Sequence, residues 1–264
     1  MSDDAVLVSV DDQIATVTLN NPDMRNALTA EVSAGIVDAL DEIERSDARV
    51  VVVEGAGSAF CAGGDINSMM EGLSGDIPAW RKAEEIMASL HRAIERLIRC
   101  PLPTVAKIDG QAFGAGASLA IACDVQAVHE DVDMSFAFRK VGLAVDSGTS
   151  WMLPRLVGAN VAKRLVLTGQ VITAEEAQEL GVVTDVYDDE EYEERTAELV
   201  AAIAEGPTVG LKISKRLIRQ NATKSLTEAL DDEATAQALA LGSQDHAEGA
   251  SAFMEGRDTE FEGR

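Results

Sequence analysis

PLPTVAKIDGQAFGAGASLAIACD, Pro101 to Asp124, runs from an apolar stretch through clustered glycine and alanine into a segment of small apolar residues. The first part reads as a buried strand and the last as a helix packed closely enough to need small side chains. A similar plan stands upstream, where the apolar stretch ARVVVVEGAG (Ala48 to Gly57) leads into the loop SAFCAGGDINSM (Ser58 to Met69). Backbone N–H groups at such strand-to-helix turns are unpaired and carry positive partial charge. Two facing loops can aim two N–H groups at one oxygen. Glycine here also serves tight packing, and both readings stay open. Neither loop fits GxGxxG with its distant acid or GxxxxGK[ST], which disfavours nucleotide binding of those types.

Outward from these loops the pattern is strand and helix in alternation, then helices. Val6 to Val10 and Ile14 to Leu19 read as a hairpin, and NNPDMRNAL as a turn. Thr29 caps a helix reaching about Ile43, with Glu31 in its first turn. Ile77 to Arg99 reads as a helix with Ile86, Leu90, Ile94 and Leu97 on one side. Short strands are expected over Val125 to His129 and Asp133 to Phe136. Helices follow over Ser150 to Leu156, Ala159 to Leu167, Ala174 to Leu180, Glu190 to Glu205 and Val209 to Asn221, with one long last helix from about Ser225. This order predicts an α/β core with a helical C-terminal region and a hinge near Gly206-Pro207.

The 264 residues hold 46 acidic and 22 basic side chains, a net charge of −24, which repels phosphate backbones and anionic bilayers. No nucleic-acid and no membrane role is expected. The acid is dispersed, which suits solubility at high salt and predicts a halophile's cytoplasm. Cys61, Cys100 and Cys123 form no paired framework, and acid stands where a signal peptide needs base, so a reduced cytoplasmic setting is expected. His91, His129 and His246 lack the spacing of a metal site.

One acid stands apart. In KVGLAVDSGTSW (Lys140 to Trp151), Asp146 ends an apolar run, beside Val145 and Trp151. It reads as a helix cap ahead of Ser150, as a surface charge, or as a carboxylate that does chemistry.

Taken together, NNPDMRNALT, FCAGGDI, DGQAFGAGASLAIACD, LPRLVG, LTGQVITAEEAQELGVV and SAFMEGRDTEF resemble, in order and spacing, the crotonase (enoyl-CoA hydratase/isomerase) superfamily over nearly the whole chain. The resemblance implies a spiral of ββα units over residues 1–195. It implies a C-terminal helical trimerisation region over 196–264, giving a homotrimer or a dimer of trimers. It implies acyl-CoA thioesters as substrates, with no cofactor beyond the coenzyme A the substrate carries. By motif position, the N–H groups of Gly64 and Ala115 hold the enolate oxygen, each contributing on the order of 3–4 kcal/mol. Arg25, Ala62, Asp65 and Ile66 align with the coenzyme A path, and Lys212 or Lys215 with Phe253 with its closure.

The family's hydratases use two glutamates, and here those positions are Ser118 and Phe138. Asp146 resembles the aspartate of the phenylacetate-pathway ring-opening isomerase branch, which implies isomerisation with one carboxylate as proton shuttle. His91 resembles a histidine of the 4-chlorobenzoyl-CoA dehalogenase branch. That branch also needs a tryptophan where Phe138 stands, so His91 is expected at the pocket edge. The alternatives are a hydratase using unusual acid/base residues and a coenzyme A-binding scaffold without turnover.

Overall fold

The structure is a computed structural model that describes residues 4–66, 70 and 78–264. A six-stranded sheet has the order Val6–Asp11, Ile14–Leu19, Val50–Gly55, Thr104–Ile108, Val125–His129, Asp185–Tyr187, and a smaller four-stranded sheet the order Ala59–Cys61, Gln111–Phe113, Asp133–Ser135, Ile172–Thr173. β1 (Val6–Asp11) and β2 (Ile14–Leu19) form the expected hairpin. Ala15, Val17 and Leu19 alternate inward on β2, as a one-sided strand requires.

The next strands come in pairs that split between the sheets. β3 (Val50–Gly55), β5 (Thr104–Ile108) and β7 (Val125–His129) join the large sheet in parallel. Their successors β4 (Ala59–Cys61), β6 (Gln111–Phe113) and β8 (Asp133–Ser135) build the small one, also in parallel. β9 (Ile172–Thr173) closes the small sheet antiparallel to β8, and β10 (Asp185–Tyr187) adds to β7. Val50 to Val53 are buried on both faces. Each such valine contributes roughly 1.5–3 kcal/mol of burial free energy.

Helices cover the faces. α1 (Ala30–Ile43) starts at Thr29, whose Oγ1 accepts from Val32 N at 3.1 Å, and it buries Val32, Ile36, Val37, Leu40 and Ile43. α2 (Ala79–Ile86) passes through a π turn, Met87–His91, into α3 (Arg92–Ile98). The expected start at Ile77 lies outside the described residues. α4 (Ala115–Ala120) follows the second glycine loop and is buried throughout. α5 (Thr149–Thr168) is two helices in sequence, broken where Gly158 takes φ 75°, as the separate segments either side had suggested.

α6 (Ala174–Glu179) carries a full capping box between Thr173 and Glu176. α7 (Tyr192–Ala204) lays Val200 and Ala204 against Val50, Val52 and Val105 of the sheet. The expected boundary between residues 195 and 196 falls inside this helix. α8 (Thr208–Asn221), α9 (Leu226–Ala240) and α10 (Gln244–Glu255) complete the chain.

Two expectations need correction, and two short strands go unread in the sequence. Ala59–Cys61 is a strand rather than loop, because three residues suffice when the backbone pairs with β6. Ile172–Thr173 and Asp185–Tyr187 are strands too short to leave a period. The long last helix is two, since Ser243 Oγ accepts from His246 N at 3.0 Å and starts a new one after Gly242.

Candidate active site

The two glycine loops meet. A Cβ placed on Gly116 would stand 2.1 Å from Cys61 O, so only glycine lets α4 lie on the end of β4. A Cβ on Gly63 would stand 2.7 Å from Phe113 O and 3.4 Å from Ala115 N. Gly63 also has φ 102°, where a side chain is strained.

The directions of two N–H groups follow from peptide planarity. Gly63 O accepts from Leu28 N at 2.7 Å, which turns the N–H of Gly64 away from that neighbour. Gly114 O accepts from Ser118 N at 3.2 Å within the first turn of α4, which turns the N–H of Ala115 out of the helix end.

Asn26 sets the first loop. It is fully buried, and its Nδ2 donates to Ala56 O at 2.9 Å and Ala59 O at 2.8 Å. Its Oδ1 accepts from Asn21 N at 2.9 Å, and its own carbonyl accepts from Cys61 Sγ at 3.0 Å. Arg25, at φ 50°, accepts from Ala62 N at 2.9 Å through its carbonyl, so the turn and the loop form one surface. Arg25 and Ile66 are exposed, while Ala62, Gly64 and Asp65 are half-buried.

Asp146 lies in the turn before α5 and is half-buried. It does not cap the helix with its side chain: the N-cap is Gly148, and Asp146 Oδ1 instead accepts from Ser147 Oγ at 2.8 Å. Its carbonyl accepts from Thr149 N at 2.9 Å and Thr149 Oγ1 at 2.7 Å. Thr149 Oγ1 in turn lies 2.5 Å from Ser118 Oγ. A relay of two hydroxyls therefore joins the second glycine loop to the Asp146 turn.

Asp146 lines a cavity of about 730 Å³ with His91, Ile94, Glu95, Ile98, Arg99, Val145, Trp151 and Arg219 among its walls. His91 ends the π turn, and its Nε2 is buried without a hydrogen-bond partner among the described residues. Single π turns of this kind often occur at functional sites. Among the described residues, neither glycine loop lines this cavity; the Ser118–Thr149 relay connects the second loop to it.

Several expected contacts fall elsewhere. Ser118 is fully buried with protein partners, so it holds the loop rather than a ligand. Phe138 is 7% exposed and belongs to the core, where an aromatic ring is best buried. Lys215 pairs with Asp124 at 2.6 Å and donates to Leu102 O at 2.8 Å, fastening α8 to the core. Lys212 lines a second pocket beside the first. Phe253 is 85% exposed on α10.

The reading from sequence missed Asn26, Thr149 and Arg219. Asn26 had a signal, its place within NNPDMRNALT. Thr149 and Arg219 had none, because their partners are 31 and 121 residues away. Among the described residues no cluster of His, Cys, Asp and Glu has the geometry to hold a metal ion.

Comparison with known proteins adds to this geometry. Residues 9–264 match the family model for enoyl-CoA hydratase/isomerase. The chain is 35% identical over 260 residues to a 1,2-epoxyphenylacetyl-CoA isomerase of Escherichia coli K12, covering 98% of each chain. It is 30% identical over 264 residues to the 2,3-dehydroadipyl-CoA hydratase of the same organism, covering 98% of this chain and 99% of that one. A solved enoyl-CoA hydratase from Polaromonas sp. JS666 superposes with a TM-score of 0.91 at 29% identity, covering 97% of this chain and 99% of that one.

Proposed function

The chain belongs to the enoyl-CoA hydratase/isomerase family and has its crotonase fold, and from that premise we propose that it is an acyl-CoA isomerase using Asp146 as proton shuttle. The observation that carries this reading is that, among the described residues, Asp146 is the carboxylate of the cavity not committed to a cation. The two positions where a hydratase would place its acids hold Ser118 and Phe138, both buried. The other acid of the cavity, Glu95, is held by Arg99 at 2.9 Å.

In this reading the thioester oxygen sits against the N–H groups of Gly64 and Ala115. Asp146 takes a proton from C4 or C2 of the acyl chain, leaving an enolate whose negative charge rests on that oxygen. The same carboxyl returns the proton at the other carbon, so the double bond moves and no water is consumed. One group is acid and base in turn. The similarity to an epoxyphenylacetyl-CoA isomerase supports isomerisation over hydration.

Arg25, Ala62, Asp65 and Ile66 form the coenzyme A path. The C-terminal helices from residue 196 on are the trimerisation region; Leu226, Leu230, Phe253 and Met254 are exposed on them, which supports burial by another copy. The three free thiols suit a reducing cytoplasm.

The test is proton chemistry in heavy water with crotonyl-CoA and 3-enoyl-CoA supplied separately. The isomerase reading expects deuterium at C2 and C4 and interconversion of the isomers, both lost in Asp146→Asn. Fast hydration of crotonyl-CoA that survives Asp146→Asn sinks it in favour of a hydratase. Thioester binding without exchange points to a scaffold.

A further inference from the structure

We propose that the end of the cavity away from Asp146 is an anion site, and that the acyl groups this chain selects carry a carboxylate at their far end. The inference rests on the acyl-thioester reading above and deepens it by naming the substrate class.

Arg219 stands in the last turn of α8 and is half-buried against the cavity. Its Nη1 donates to Ile98 O at 2.7 Å. That bond fixes the plane of the guanidinium and leaves donors on its other edge for a second acceptor. A carboxylate matches such an edge with two parallel hydrogen bonds. No carboxylate of the described residues lies within ion-pair distance of Arg219. Elsewhere on the wall Glu95 is engaged with Arg99, and Asp146 Oδ1 with Ser147. Arg219 is therefore a cation of this cavity whose counter-charge the described chain does not supply. A half-buried charge in that state favours an anionic ligand.

The surroundings reinforce it. A second pocket of about 240 Å³ shares Arg99 and Arg219 with the cavity and is lined also by Lys212, Lys215 and Arg216. Lys212, Arg216 and Arg219 lie at i, i+4 and i+7, one stripe of α8. Neither Lys212 nor Arg216 has a carboxylate partner among the described residues. In a chain of net charge −24 this stripe concentrates positive potential at one end of the site.

The distances suit a short chain. A Cβ on Gly148, two residues from Asp146, would lie 3.7 Å from Ile94 Cγ2, whereas Arg219 is bonded to Ile98 O. Four residues of helix separate those points, about 6 Å of rise. Asp146 and Arg219 line the same cavity, so an acyl group with its reacting carbons at Asp146 and its chain running along α3 points its far end toward Arg219.

Coenzyme A phosphates offer the same anionic oxygens, so the experiment compares thioesters that share them. Straight-chain 2-enoyl-CoA pairs of equal length, ending in methyl or in carboxylate, are given to the full-length wild type, Arg219→Gln and Arg219→Lys. Binding is read by calorimetry and turnover by C2-proton exchange. The wild type is expected to favour the carboxylate-ended member by about tenfold or more, equivalent to ~1.4 kcal/mol. Arg219→Gln erases the preference, bringing the carboxylate-ended member down to the level of the methyl-ended one, and Arg219→Lys keeps part of it. Equal loss for both members assigns the cations to the phosphates and overturns the proposal, as does a wild type without preference. The wild-type comparison decides even where Arg219→Gln fails to fold. The calorimetric preference survives if no thioester exchanges its C2 proton, an outcome that defeats the isomerase reading alone.

Discussion

Ser118 Oγ and Thr149 Oγ1 lie 2.5 Å apart, both fully buried, and join segments 31 residues apart in the chain. Each hydroxyl has one proton to give. Thr149 gives its proton to Asp146 O at 2.7 Å, so the short bond must be donated by Ser118. The weaker 3.2 Å contact from Ser118 Oγ to Gly114 O is then the one forgone. The relay fixes the Asp146 backbone relative to the loop that presents the Ala115 N–H. Ser118→Ala and Thr149→Val should each destabilise the fold by about 1–2 kcal/mol. Because the two share one bond, a double-mutant cycle should show a coupling on the order of 1 kcal/mol. Additive effects in denaturant unfolding would mean that the relay is not a unit.

Asp146→Asn keeps the shape of the turn and its backbone bonds while removing the carboxylate. Proton exchange at C2 should fall by about 10²- to 10⁴-fold, the range for loss of a general acid/base. Thioester affinity, measured by calorimetry, should hold, since the carboxylate's task lies in the reaction. A variant that retains exchange moves the shuttle to another group.

Gly116→Ala tests the contact between the loops. The added methyl would meet backbone, Cys61 O at 2.1 Å, and backbone cannot rotate away as a side chain can. A cost of about 3 kcal/mol or more is expected, from the overpacking of a close-packed site. Gly114→Ala has open space around its Cβ but φ 53°, so its smaller loss comes from backbone strain alone. Unfolding midpoints that rank Gly114→Ala as the worse of the two would contradict this packing.

Which features were legible in the sequence follows from the range over which each is determined. Thr29 and Gly158 act within one helical turn, so a cap and a break show locally. Val50 to Val53 announce a strand because burial on both faces leaves nothing else for four valines to do. The glycines at 63, 114 and 116 mark the loops, since the backbone geometry tolerates little else there. β4, β9 and β10 span only two or three residues and exist because partners from elsewhere pair with them. The same limit governs the site. Asp146 stood out as an acid after an apolar run, but whether it caps α5 depended on Ser147 and Gly148 geometry. Lys215 shows no partner in the sequence, because Asp124 is brought beside it from 91 residues upstream.

The thiol of Cys61 reports on the first glycine loop. It is fully buried, and burial pushes its pKa up to about 12 despite the backbone hydrogen bond at Gly63 that lowers it. At pH 8 only about one thiol in 10⁴ is thiolate, the reactive form. Burial likewise raises Cys100 and Cys123. The native protein should therefore resist a water-soluble maleimide at pH 8, with all three thiols labelled once guanidinium unfolds it, as read by mass. Rapid labelling of Cys61 in the native state would show that the loop opens on its own.

At the C-terminal end, Glu248 accepts from both Nη atoms of Arg257, at 2.6 and 2.8 Å, and from Glu260 N at 2.9 Å. The guanidinium, and then the Glu260 N–H, lower its carboxyl from the ordinary 4.5 to about 2. A lowered acid binds fewer protons folded than unfolded, so its contribution is complete above about pH 4.5 and is lost as pH falls toward 2. The segment after α10 should then loosen over that window, seen as faster exchange of the Glu260 amide after correction for intrinsic rates. Glu248→Gln removes the titrating group, and its exchange at this amide should be fast at pH 6 and independent of pH down to 3. A wild-type amide whose protection is flat across the window places the titration elsewhere.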